Sequence, residues 1–491
     1  MSDNEQDIVR YTVAIQANPT DGEAYYDRGN AYAEAGRYEA AIADYDEAIR
    51  LLPTEGDPYY RRGNLYRRLG DYEQALADYT AAIRLDPEHS RAYVGQGNVY
   101  FQQEQYAEAV AAYSRALRFD PHYISAVYNR GKAYAEMGQD QLALADFEAI
   151  LQVEPDDVAA LYGRANLKAK QEDYTDALAD YTAAIQLDPD DAVVYLNRAR
   201  CYVALDEIDQ ALADYNEALR RKPRESRAFT GRALLHYQLG DFAAAVADLS
   251  EALAIKPDEA DSYLSRGLAH YHLENYDEAL ADYAKAIRYN ARDPRAALGR
   301  GLIFSRQGDY QRAWVNFDQA VRLGDQFIPA LIGRGDAAVA LGDVEPALAD
   351  YSQAIRLGAN DASLFLKRAN LLMQQGDLTQ AVADYDEVIL RDPSNATAYY
   401  NRATAYHQQG QTEAALADYR TATELNPNDG SALYNMACLL AGRREVTEAL
   451  TCLQQALETG IDVGHAQTDP DFEPIRADER FQILIKQFSS P

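Results

Sequence analysis

The chain has 491 residues, and its 78 acidic against 47 basic side chains leave a formal net charge of −31. Acid on that scale disfavours nucleic acid and anionic membrane as main partners. Three cysteines (Cys201, Cys438, Cys452) in so long a chain point to a reducing compartment; the acidic MSDNEQD start has no signal-peptide pattern and no apolar run could span a bilayer, so a cytoplasmic location is expected.

The first predicted element is a helix from about Glu5 to Ala17. Its Tyr11 and Ala14, with Pro19 after it, fit the second half of a 34-residue pattern that is complete from residue 22 onward. Residues 1–21 are therefore expected to form an orphan second helix capping the array. The full unit reads most cleanly at Gly56–His89, GDPYYRRGNLYRRLGDYEQALADYTAAIRLDPEH, and recurs thirteen times without a gap over 22–463. Each unit carries an aromatic or apolar residue at position 4 (Tyr25, Tyr59, Tyr93) and, in most copies, a small one at 8 (Gly29, Gly63, Gly97). Alanine fills position 20 from Ala41 to Ala449, an aromatic or leucine fills 24, and proline closes most copies at 32 (Pro53, Pro87, Pro121).

Positions 4, 8 and 11 share one face of a first helix, and 20, 24 and 27 share one face of a second. Gly-Asp at positions 15 and 16, as in Gly70-Asp71 and Gly240-Asp241, ends one helix and caps the next. A single hairpin cannot bury its apolar face, so neighbours must stack. This pattern resembles the tetratricopeptide repeat family, in its bacterial form, over nearly the whole chain. The expected fold is all-α, a right-handed α-solenoid superhelix of stacked helix-turn-helix repeats.

From residue 260 onward three junctions lose their proline, with Ala291, Asp325 and Ala359 in its place. The only tryptophan, Trp314, stands between two of them, and a local change of superhelix pitch is expected there. After the last unit, residues 464–478 read as a loop or short turn. A helix at about Glu479–Phe488 follows, with Phe481, Leu484, Ile485 and Phe488 in one stripe, so 464–491 is expected to be a loop and capping helix. Asp469, Asp471 and Asp478 are assigned to the cap rather than to a site.

Arginine occupies position 7 in eleven units, inside the arc that should be buried. The partner must be the acid at position 23, as in Arg28/Asp44 and Arg232/Asp248, because a buried guanidinium needs a counter-charge. The two units without arginine, at Gln96 and Met436, also lack the acid, having Ala112 and Cys452. Arg300 faces Asn316, expected to accept a hydrogen bond in its stead.

Function then falls to the stripe at positions 2, 5, 9, 12 and 13, which the family resemblance places in a concave peptide-binding groove. Tyrosine supplies rigid contact area and asparagine both donates and accepts, so Tyr26, Asn30, Tyr60, Asn64, Asn98, Tyr128, Tyr162 and Asn166 are candidates. Basic residues Arg67, Arg68, Arg91, Lys132, Lys170, Arg200 and Arg227 outnumber Asp57 and Glu136 along this stripe. Leu234, Leu264, Leu268, Leu298 and Leu302 make it apolar further on. The expected partner is a protein or peptide that is acidic with an apolar end. No copy has lysine at position 5, which the family's clamp for chaperone C-termini uses.

No phosphate loop, nucleophile elbow or HExxH is present, and His236, His270 and His272 lack further evident zinc ligands. The reading is a non-enzymatic protein–protein interaction scaffold without catalytic residues, cofactor or metal. The alternatives are a structural solenoid that self-associates through its N-terminal helix, or the repeat arm of a larger enzyme such as a glycosyltransferase.

Overall fold

A computed structural model describes residues 3–324 and 326–489, and the helices group into two compact units, Met1–Ile255 and Lys256–Pro491. Asp325, one of the altered junction residues, lies outside the described residues.

The first unit opens with the helix Asp3–Ala17 and continues as helical hairpins, such as Gly56–Leu69 with Tyr72–Leu85 and Val158–Lys170 with Tyr174–Leu187. Turn chemistry follows the sequence. Gly70 takes a left-handed φ of 84°, and Asp71 accepts a hydrogen bond from the Gln74 amide at 3.2 Å. The same turn persists where glycine is missing. Glu104 and Glu172 are forced to φ of 61° and 64°, a conformation that L side chains adopt only at a cost.

The core is built from the small residues and the ring. Every position-20 alanine from Ala41 to Ala449 is fully buried, and the position-24 side chains beside them are nearly so, as at Tyr79 and Tyr181. Each such ring is gripped from two sides. A methyl on Gly63, in the same hairpin, would sit 3.0 Å from the Tyr79 ring, and one on Gly95, in the next hairpin, 2.6 Å. The glycines at positions 8 and 6 therefore make room here for one aromatic, which ties the hairpin of Tyr79 to the one that carries Gly95.

The position-7 arginines form the expected rungs. Arg232 donates from Nε to Asp248 Oδ2 at 2.7 Å and from Nη2 to Oδ1 at 2.6 Å, and Arg164, Arg198, Arg334 and Arg368 repeat this bidentate geometry. A further contact was not foreseen from the sequence. In several rungs the remaining Nη1 reaches position 25 of the preceding hairpin: Arg198 to Thr182 at 3.1 Å, Arg368 to Ser352 at 3.1 Å, Arg334 to Asp318 at 2.6 Å. Arg28 does the same to Thr12 of the opening helix at 3.2 Å. Even Gln96, standing in for arginine, donates to Thr80 at 3.0 Å.

One rung departs from expectation. Asn316 donates its side-chain amide to the Arg312 carbonyl at 2.8 Å, and among the described residues no bond joins it to Arg300. The reason lies in both neighbours: position 23 there is an amide with a nearer acceptor, and position 25 of the preceding hairpin is Ala284.

The second unit runs in hairpins from Ala260–His272 to Val446–Glu458. At its irregular junctions Gly324 is extended (φ −137°) while Gly358 is left-handed (φ +99°), so the helix Val344–Arg356 stops a residue earlier than Leu378–Arg391 does. The tail is more ordered than the expected loop. A short helix Val463–Thr468 and a 3₁₀ turn Pro470–Phe472 precede the helix Glu479–Ser489. Aspartates start both short pieces: Asp462 accepts from the Gly464 amide at 3.0 Å and Asp469 from that of Asp471 at 2.9 Å. Phe481, Leu484 and Ile485 are buried with Phe472, Ile475 and Leu453 in one apolar cluster.

Candidate functional site: the first-helix stripe

The tyrosines at position 5 lean on the ring at position 24 of their own hairpin, with Tyr26–Tyr45 and Tyr60–Tyr79 centroids both 6.1 Å apart and Tyr128–Phe147 and Tyr162–Tyr181 at 5.7 and 6.2 Å. They are half-buried, one face packed and the other at the surface. The asparagines at position 9 are committed on one side. Asn30, Asn64, Asn98 and Asn166 each accept a hydrogen bond on Oδ1 from the position-24 tyrosine of their hairpin, at 2.7–2.8 Å. The phenol takes one of the two Oδ1 lone pairs. Among the described residues their Nδ2 groups bond to nothing, so each presents a donor.

Two of these asparagines gain a second partner from the next hairpin. Asn129 Nδ2 donates to Asn98 Oδ1 at 3.2 Å, and Asn197 Nδ2 donates to Asn166 Oδ1 at 2.9 Å. Sequence reasoning missed Asn129 and Asn197; the available signal was an asparagine 31 residues after each of Asn98 and Asn166. The result is two recesses of the same build in the first unit. One, of about 410 Å³, is lined by Arg67, Asn98, Phe101, Gln102, Tyr113, Asn129 and Lys132. The other, of about 360 Å³, is lined by Asn166, Ala169, Lys170, Tyr174, Tyr181, Asn197, Arg200, Cys201 and Ala204.

The basic residues divide by what already neutralises them. Lys170 is paired with Asp140 at 2.8 Å and Arg227 with Glu225 at 2.9 Å, so these two are spent internally. Lys132 is exposed and lies over the Phe101 and Tyr128 rings at 5.2 and 5.7 Å, and Arg68 lies over Tyr38 at 4.9 Å. These cation–π contacts hold the cations without cancelling their charge. Arg67 Nε is buried and, among the described residues, makes no hydrogen bond. Arg200 and Arg91 are exposed, and no carboxylate pairs with either among the described residues. The cationic field favours ionisation of the groups it touches, yet burial dominates: Tyr79 is pushed up to about 12 by desolvation, against the opposing pull of Arg67. The recesses thus present amide donors and cations beside neutral phenols.

The apolar stretch is mixed. Leu234 and Leu268 are exposed and Leu298 and Leu302 half-buried, but Leu264 is only 7% exposed and belongs to the core. Cys201, Cys438 and Cys452 are buried free thiols, each with its ionisation pushed up by burial.

Profiles of tetratricopeptide repeats match residues 11–43, 29–70, 60–124, 96–168, 168–235, 233–274, 264–326, 335–376 and 366–430. The chain belongs to the tetratricopeptide repeat family. Comparison with curated proteins gives no match. Among solved structures it is similar to YrrB, described as a TPR protein with an unusual peptide-binding site, at 26% identity and TM-score 0.34 over 38% of this chain and 97% of that one. A tetratricopeptide repeat protein from Parabacteroides merdae shares 23% identity and TM-score 0.40 over 51% of this chain and 98% of that one. Yeast Tom70 shares 16% and TM-score 0.36 over 96% and 99%. At those scores the superpositions carry no functional argument. Tetratricopeptide repeats of this architecture make a protein-interaction scaffold. No described helix is long and apolar enough to cross a membrane.

Proposed function

We propose that this tetratricopeptide repeat protein is a non-enzymatic scaffold whose first unit receives an extended acidic segment of a partner protein along the first-helix stripe. The observation that supports this reading is the pair of like-built recesses, each with an asparagine donor and a cation that no carboxylate neutralises, Lys132 in one and Arg200 in the other. Free cations are notable on a chain with a net charge of −31, because most of its basic residues have acids within reach. An acidic side chain in a recess gains charge-assisted hydrogen bonds from both groups. Tyrosine faces beside each recess supply contact area for the intervening residues.

Selection from a random peptide display library against the full chain tests the proposal. Enriched peptides should carry Asp or Glu, and their affinity should fall as salt rises. The double reversal Lys132→Glu/Arg200→Glu should weaken them at least tenfold, about 1.4 kcal/mol, with helicity unchanged. Lys170 is left out because Asp140 already holds it. Enrichment of peptides without acid, or affinity indifferent to the double reversal, rejects this site.

A further inference from the structure

The strongest chemistry outside the stripe lies where the tail folds back on the helix Gly430–Gly442. Cys438 of that helix is only 6% exposed, and its Sγ is directed at Asp469 Oδ2, 4.0 Å away. Asp471 joins them, so that one ligand atom from each of Cys438, Asp469 and Asp471 lies within 4.8 Å of the other two. His465, one turn before Asp469, has its Nε2 3.8 Å from the same Oδ2. A buried thiol and two carboxylates thus converge, with the exposed His465 imidazole at the rim, near Asp469 but outside the three-ligand cluster.

We propose that Cys438, Asp469 and Asp471, with His465 turning in from the rim as the fourth ligand, form a binding site for a divalent transition-metal ion of the zinc class. Sulfur and imidazole ligands select against calcium and magnesium, which take oxygen ligands. Two ligands at about 2.0–2.3 Å from a tetrahedral ion stand about 3.3–3.8 Å apart; Asp469 stands 4.0 Å from Cys438 and 3.8 Å from His465, while Asp471 and the His465 ring must draw inward to complete the shell. The supporting shell is in place. Tyr434 donates its hydroxyl to Asp469 Oδ2 at 2.7 Å, and the Asp471 amide donates to Asp469 Oδ1 at 2.9 Å, which fixes the carboxylate plane. Arg476 anchors the Asp469 carbonyl at 2.6 Å.

Binding displaces the Cys438 thiol proton, which leaves to water as the S–metal bond forms. The bound ion then clamps the short helix Val463–Thr468 and the Pro470–Phe472 turn to the last hairpin.

The test uses the untagged full chain, stripped with a chelator and titrated with Co²⁺ and then Zn²⁺. Cobalt should give a sulfur-to-metal charge-transfer band with tetrahedral visible absorption, and zinc should displace it and raise Tm. Cys438→Ser should abolish the band. Asp471→Asn and His465→Ala lie at exposed positions and leave the fold intact by circular dichroism, and each should weaken binding at least tenfold. No charge-transfer band in the wild-type chain overturns the proposal. So does a band that survives Cys438→Ser, which would place the metal on Cys201 or Cys452, or unchanged affinity in both exposed variants.

Discussion

At the scale of single residues, the arginine rungs are the feature most open to measurement. Arg232 keeps 23% of its side chain exposed while Asp248 keeps 8%, so removing the cation strands the better-buried partner. Arg232→Leu should cost roughly 3 kcal/mol, the low end for a broken buried pair because the arginine is partly solvated. Adding Asp248→Ala should recover much of that loss. A double-mutant cycle by denaturant melts reads the coupling, and strictly additive losses would show that the pair does not interact. Glu225 offers a pH-dependent counterpart. Hydrogen bonds from Arg227 first, and from Lys222, hold its carboxyl at about 2, below the ordinary 4.5. Because the folded value is depressed, its stabilisation is complete above about pH 4.5 and is lost as pH falls toward 2. The Tm of Glu225→Gln should therefore decline less steeply than that of the wild type across this window; parallel declines contradict the assignment.

At the scale of the helix pair, one aromatic ring controls spacing on two sides. Position 8 takes glycine where the ring of the same hairpin leans in, and position 6 takes glycine where the previous hairpin's ring does, as at Gly163 against Phe147 and Gly231 against Tyr215. A methyl at Gly95 would lie 2.6 Å from the Tyr79 ring, whose neighbours leave it nowhere to retreat. Gly95→Ala should destabilise by about 1–3 kcal/mol through overpacking, despite the better helix propensity of alanine. Chemical denaturation measures it, and a stabilised variant would mean the ring can shift. Position 6 also shows where sequence reasoning stopped short. Small residues at 8 and 20 were legible because a close helix approach demands them. Asn129 and Asn197 were not, because their roles depend on contact with the preceding hairpin, 31 residues earlier, rather than on local periodicity.

At the scale of the whole molecule, the period dictated nearly every helix, since each hairpin buries its face only against a like neighbour. What it could not supply were the exceptions to the period. The tail is one: Asp462 and Asp469 start short helical pieces by local capping, which a stripe-based reading takes for loop. Arg300 is another, where two independent replacements, Asn316 and Ala284, leave the guanidinium without its rung. The groove stripe was legible as a set of residue types, but which cations are spent on Asp140 and Glu225 depended on side-chain geometry. Division into two compact units carries a thermodynamic expectation. Nearest-neighbour stabilisation over an array this long should not unfold in one step, so the calorimetric enthalpy should exceed the van't Hoff enthalpy clearly. A ratio of one would contradict that.

The third hydrogen bond of Arg198 and Arg232 has a consequence for how such a chain changes length. Arg198 holds its own Asp214 and also Thr182 of the hairpin before it, and Arg232 likewise holds Asp248 and Asn216. Both ends of the stitch travel in a segment such as 192–225: Arg198, which reaches back, and Asn216, the position-25 acceptor that meets the next arginine. If residues 192–225 were excised, Arg232 would meet Thr182, a hydroxyl acceptor of the kind Arg198 already uses. Duplicating them would likewise bring Asn216 to the copied Arg198. Gain or loss of this whole segment therefore preserves the rung at the seam, whereas a change of any other length shifts arginine and acceptor out of register. Recombination within the coding sequence can lengthen or shorten the array in that step size wherever the seam joins such a pair.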